Sequence, residues 1–236
     1  MATAIPAGGR ILGQVIRGAV NIEKIRKAVG AAPREGTEET DCSQESDETQ
    51  CNVCLLKEGI LLPSKPRRSI RAQNILNWVY QLYIANLKAA PERFEFCDKD
   101  SGLPVTNFKM SPIGKLLSKV KGEPVASYDQ LNLTEWLYNE VWFDGFWRDL
   151  CTVVDAKGKY QQFLDEENLP NEGFPEMVIF PKFLTEAAGQ LKALAPALPK
   201  AKLQWHFMEH RTYLYAKTIL PSPITSHHTR LPPIEA

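Results

Sequence analysis

Three short apolar runs, set close together, constrain this chain more than any other feature. Residues 134–163 read TEWLYNEVWFDGFWRDLCTVVDAKGKYQQF. Leu133–Tyr138, Val141–Phe146 and Cys151–Ala156 are rich in Trp, Phe, Tyr and Val, residues that suit a pleated surface, so each is expected to be a strand. Asn139-Glu140 and Arg148-Asp149 mark the turns between them, and Lys157-Gly158 closes the third. The expected result is an antiparallel meander.

Acids sit at chosen places in these runs. Side chains alternate along a strand, so Asp155 and Lys157 share one face while Val154 and Ala156 take the other. Asp144 ends the preceding run and is followed by Gly145, which permits a bend or the close approach of a ligand. If the two strands pair, Asp144 and Asp155 converge. Two carboxylates that close repel each other unless a divalent cation lies between them, and Mg²⁺ is content with one or two carboxylates plus water and phosphate oxygens. Lys157 on the same face would orient or deprotonate a water, or offset charge on a phosphate.

The pattern is D-(x)10-D-x-K. On its own a D-x-K triplet is a weak signal, but its neighbours add to it: EW at Glu135-Trp136, FDGF at 143–146, DAKGKYQQF from Asp155, and LQWHF from Leu203. Together these resemble the type 5 restriction-endonuclease-fold toxins, a branch of the PD-(D/E)xK nuclease superfamily found as C-terminal domains of bacterial type VI secretion effectors. The resemblance runs roughly from Cys51 to Leu220 and is densest over 135–163. It implies an α/β fold, a central mixed sheet flanked by helices. It also implies a nuclease toxin, DNA as substrate, Mg²⁺ or Mn²⁺ as cofactor and a cognate immunity protein as partner. Delivery would be by type VI secretion into a target cell's cytoplasm, with the immunity protein holding the toxin inactive in the producer. Phe143 stands where the superfamily name has Pro, and Asp155 where Glu is commoner.

On this reading Asp144 and Asp155 bind the metal and Lys157 is catalytic. Glu135 is the candidate third acid, or else pairs with Lys157 or another cation. Among Tyr160, Gln161 and Gln162, just past Lys157, an amide would hold the attacking water or a phosphate, and Gln162 is the one chosen.

The net formal charge is zero, but it is unevenly spread. Residues 1–33 carry about +4, 34–50 about −6, 57–121 about +7 and 122–236 about −5, with His neutral. A basic part before an acidic, metal-binding part suits a nuclease, although a solvated surface would look the same. Ile11, Leu12, Val15, Ile16, Ala19 and Val20 recur with helical spacing, as in an amphipathic helix that docks on a partner or on its own domain. Its Arg and Lys residues interrupt any run of about 20 apolar residues, so no membrane span is expected, nor a secretory signal. GTEETDCSQESDETQ is too polar to order itself and marks a linker. The expected division is an extension over 1–50 and a nuclease toxin domain over 51–236.

Cys51 and Cys54 form a single CxxC, too few ligands for a structural zinc site. A disulfide involving one of them, or buried thiols, is expected instead. Ser69–Leu87 reads as a helix capped by Ser69 or Ser64, with Ile70, Ile75, Leu76, Val79, Leu82 and Tyr83 as its stripe. No carboxylate on it points to a metal. Pro91–Leu133 is irregular, with four lysines between Lys109 and Lys121. Further helices are expected at Phe183–Ala195 and Thr212–Leu220, with a strand at Lys202–Glu209 between them. His206 is taken as a hydrogen-bonded core or site-edge residue, and His227 and His228 as part of a loose Pro-rich tail. Two alternatives stand beside a DNase: a noncatalytic module binding nucleic acid or protein, and the same phosphodiester chemistry on RNA.

Overall fold

The computed structural model describes residues 53–71, 73–105 and 128–233. The segments expected to be an N-terminal helix and a linker, Cys51, and the lysines from Lys109 to Lys121 lie outside these residues. Two four-stranded sheets form the frame. In the first, β3 (Leu131–Tyr138) pairs antiparallel with β1 (Ile60–Pro63), β2 (Phe96–Asp98) and β4 (Val141–Phe143). In the second, β5 (Gly145–Trp147) runs antiparallel to β6 (Thr152–Lys157). β6 is parallel to β7 (Lys202–Phe207), which is parallel to β8 (Thr225–His228). This second, mixed sheet with helices against it is the expected α/β core. Among the described residues no helix is long and apolar enough to cross a membrane.

The second run of the meander is not one strand. It breaks at Asp144, so β4 belongs to the first sheet and β5 to the second. An apolar run carries no mark of a change of sheet, which is why Val141–Phe146 reads as continuous. Gly145 makes this passage possible. A Cβ there would lie 2.6 Å from the Ala85 Cα, closer than atoms pack, so its role is helix contact rather than ligand approach.

The helix α1 (Ile75–Asn86) starts six residues later than expected. Asn74 rather than Ser69 or Ser64 stands at its head. Its amide donates to the Ser69 carbonyl while its oxygen accepts from the Arg71 N–H. Residues 64–71 therefore form a strap outside any helix or strand. The helix buries Ile75, Leu76, Val79, Leu82, Ile84 and Ala85, and packs on β5 and β6.

On α2 (Phe180–Leu194), entered through a π-helical turn at Pro175–Ile179, the buried stripe is Phe180, Phe183, Ala187, Gln190 and Leu194. That is helical spacing with one polar member. α3 (His210–Ile219) follows β7. The tail expected to be loose instead forms β8. There His227 stacks on His206 with ring centroids 5.0 Å apart, and His228 lies 5.0 Å from His210. Cys54 forms a disulfide with Cys151, in the turn just before β6, while Cys97 is a buried free thiol.

Candidate active site

The register of β5 on β6 places Gly145 opposite Val154. Carried one residue further, it sets Asp144 across from Asp155. The Asp144 Oδ2 accepts the Ala156 N–H at 2.7 Å, so the first acid is tied to the strand that bears the second. On that strand Asp155 and Lys157 share a face, as alternation demands. The Lys157 Nζ lies 2.7 Å from Asp155 Oδ1. The structure thus brings Asp144, Asp155 and Lys157 together, with Asp155 and Lys157 buried rather than open to water.

The parallel pairing with β7 puts Trp205 beside Asp155 and Phe207 beside Lys157. The Lys157 ammonium consequently rests 4.3 Å from the centroid of the Trp205 ring, a cation–π contact that is stronger away from water. α2 covers this face and brings two residues that the linear pattern did not suggest. Glu186 accepts from Lys157 Nζ at 2.7 Å. Gln190 donates to Asp155 Oδ2 at 2.7 Å and accepts the Trp205 indole N–H at 2.8 Å. Gln190 does leave one trace in the sequence: it is a polar residue at a core position of the α2 stripe. Glu186 lies one helical turn before it.

Glu135 resolves to the second of its two readings, pairing with a cation, and the cation is Arg68. Its carboxylate is fully buried. Oε1 accepts from Arg68 Nε and Gln81, and Oε2 from Arg68 Nη2 and Ser64. Two donors on each oxygen saturate a carboxylate, which leaves nothing for a metal. Gln81 comes from α1, so that helix does face the site, with an amide rather than an acid. Gln162 is exposed on the short turn Gln161–Phe163, its carbonyl accepting from Asn171. Among the described residues nothing ties its side chain to the acids. The neighbouring Tyr160 and Gln161 N–H groups instead donate to Glu209. His206 is buried between Thr229 and Gln204, and burial followed by His227 and Lys88 lowers it to about 3. It is a neutral core residue.

The charges do not balance. Among the described residues, Glu135, Asp144, Asp155 and Glu186 face two cations, Arg68 and Lys157. Burial raises Asp144 well above the ordinary carboxylate range, and Asp155 and Glu135 add to the rise. Burial and then Asp155 raise Glu186 to about 7, against the pull of Lys157. For Lys157, burial works against the charge, but Asp155 and Glu186 outweigh it and hold the amine protonated.

These donors suit a hard cation. Asp155 is buried, its Oδ1 against the Lys157 ammonium at 2.7 Å and its Oδ2 accepting from Gln190. Among the described residues no group of three or more His, Cys, Asp or Glu is arranged to hold a metal. The protein's share would be two carboxylates, the sparse set that Mg²⁺ accepts when water and phosphate complete its shell.

One comparison bears directly on this arrangement. Residues 118–210 match the restriction endonuclease fold toxin 5 family. Among curated proteins, no relative matches the chain. The matched segment holds β3 to β7, Asp144, Asp155, Lys157, Glu186 and Gln190, so the family match and the acidic cluster coincide. Arg68, Gln81 and Ser64, which saturate Glu135, come from outside it.

Proposed function

We propose that the chain is a metal-dependent endonuclease toxin that hydrolyses DNA. The observation that carries this reading is the convergence of Asp144 and Asp155 beside a protonated Lys157, in a cluster with two acids in excess. Asp144 and Asp155 would hold Mg²⁺ or Mn²⁺. When bound, such an ion lowers the pKa of a coordinated water and stabilises charge on a phosphoryl oxygen.

The chain's own groups do the rest. Gln190 holds the Asp155 carboxylate in one orientation. Lys157, kept as an ammonium, is unsuited to act as a base. It would donate to the attacking or nonbridging oxygen and offset the charge that grows there. Of its two acidic partners, Asp155 is buried and Glu186 has 43% of its side chain exposed. An incoming phosphate therefore replaces Glu186 as partner. Type VI delivery into a competitor's cytoplasm and an immunity protein in the producer belong to the same proposal.

The test is cleavage of plasmid DNA by the purified chain in Mg²⁺, repeated with Asp155→Ala and Lys157→Ala. Activity in the intact chain and its loss in both variants is expected. Cleavage that survives both substitutions would remove the assignment. An RNA substrate in parallel decides between the nucleic acids.

A further inference from the structure

The strap between β1 and α1 is basic, SKPRRSIR from Ser64 to Arg71, and its charges are sorted by direction. Ser64 is buried on Glu135, Arg68 turns inward to the same carboxylate, and Ile70 enters the core. Lys65, Arg67 and Arg71 are exposed.

The backbone is pinned along its length. The Ser64 N–H donates to the Leu133 carbonyl, and Asn132 receives the Arg68 N–H while donating to the Ser64 carbonyl. Asn74 holds Ser69 and Arg71 at the far end. The outward cations are thus presented by a fixed backbone next to an acidic centre that they do not neutralise. Of these three, only Arg67 has an ion-pair partner among the described residues, Asp100 at 3.2 Å, with both side chains more than half exposed. Such a pair is worth little and exchanges readily.

We infer that the outer edge of this strap binds the phosphodiester backbone of the substrate, with Lys65, Arg67 and Arg71 on phosphates, while Arg68 serves the interior. Lys65 and Arg67, separated by one residue, are both exposed on this strap, as partners for phosphates of one strand. The inward Arg68 fixes the spacing between this edge and the acids. Because the contacts are to phosphate, they position nucleic acid without reading its sequence. The inference rests on the nuclease reading and adds where the substrate lies.

The experiment uses the full chain in EDTA, where hydrolysis is suppressed, with dye-labelled duplex and single-stranded DNA and RNA titrated at several salt concentrations. The variant is Lys65→Gln/Arg67→Gln/Arg71→Gln. The control removes the same charge at Lys57, Lys192 and Lys217, exposed lysines outside the strap. Each phosphate that the protein ceases to neutralise reduces the slope of log affinity against log salt by about 0.9 on duplex and about 0.7 on single strands. The strap variant should therefore bind with a slope shallower by about 2 to 3, and in Mg²⁺ should cleave with raised KM and unchanged kcat. The control should match the unaltered chain. If the unaltered chain binds and cleaves while the strap variant keeps its slope and KM, the inference fails and the nuclease reading stands. If the unaltered chain neither binds nor cleaves, both fall. A melting temperature equal to that of the unaltered chain excludes misfolding as the cause.

Discussion

Gln190 and Asp155 are joined by a hydrogen bond whose direction is forced. The Trp205 indole can only donate, so it takes the amide oxygen of Gln190. The amide nitrogen is then left facing Asp155 Oδ2. A residue that orients a ligand in this way acts through it. Gln190→Leu should lower kcat by about 10 to 100-fold, the usual cost of losing an outer-shell partner of a metal ligand. Plasmid cleavage against Mg²⁺ concentration checks it. Unchanged activity at every concentration would show that Asp155 needs no such support.

The ion pair of Arg68 and Glu135 supports the fold rather than the chemistry. Removing one partner of a buried pair strands the other, at about 3–5 kcal/mol. Glu135→Ala should lose stability of that order in urea unfolding. Asp144→Asn should gain stability in metal-free buffer, because it relieves repulsion from Asp155 and Glu135. Equal losses in the two variants would contradict the division of roles.

Stability should depend on pH and metal together. Glu186 has a folded pKa raised from 4.5 to about 7. Between those values the folded chain binds more protons than the unfolded one, so this group's contribution is complete below pH 4.5 and is lost as pH rises through 7. Glu186→Gln should flatten that part of the profile, by a modest amount given the exposure of the side chain. Asp144 acts in the same direction. Mg²⁺ relieves the same repulsion, so its increase in melting temperature should be larger at pH 8 than at pH 5. Calorimetry at the two values is the check, and an equal increase at both would argue against binding at these acids.

The Cys54–Cys151 disulfide closes a loop with a sequence separation of 97. On the chain-entropy account such a bridge contributes about 2–4 kcal/mol, more for longer loops. Cys54→Ser/Cys151→Ser, or mild reduction, should lower the urea midpoint accordingly. The Cys97 thiol, pushed up to about 11 by burial and then by Asp98 and Glu95, should resist alkylation until the chain unfolds.

Much of the site is legible in the sequence because it is local. Asp155 and Lys157 are two residues apart on a strand whose Val and Ala neighbours identify it. Asp144 follows from the short turn that joins β5 to β6. The remaining parts depend on distant contacts. Glu186 and Gln190 reach the acids across a helix packing that no spacing rule contains, though the polar Gln190 in an apolar stripe is a clue. Arg68 looks like one more surface cation until β3 is seen to carry Glu135 beside it. The end of the strap reads as helix because its residues tolerate helical conformation, and hydrogen bonds from Asn132 and Asn74 overrule that preference. β8 lies between Pro223 and Pro232-Pro233, and only its pairing with β7 makes it a strand.

Asp144 is the single residue at which the chain leaves one sheet for the other. The alignment of the Asp144 and Asp155 carboxyl groups is therefore tied to the alignment of two slabs of backbone. Any shear between those slabs moves one carboxyl past its counterpart, so the competence of the centre reports the seating of the whole frame.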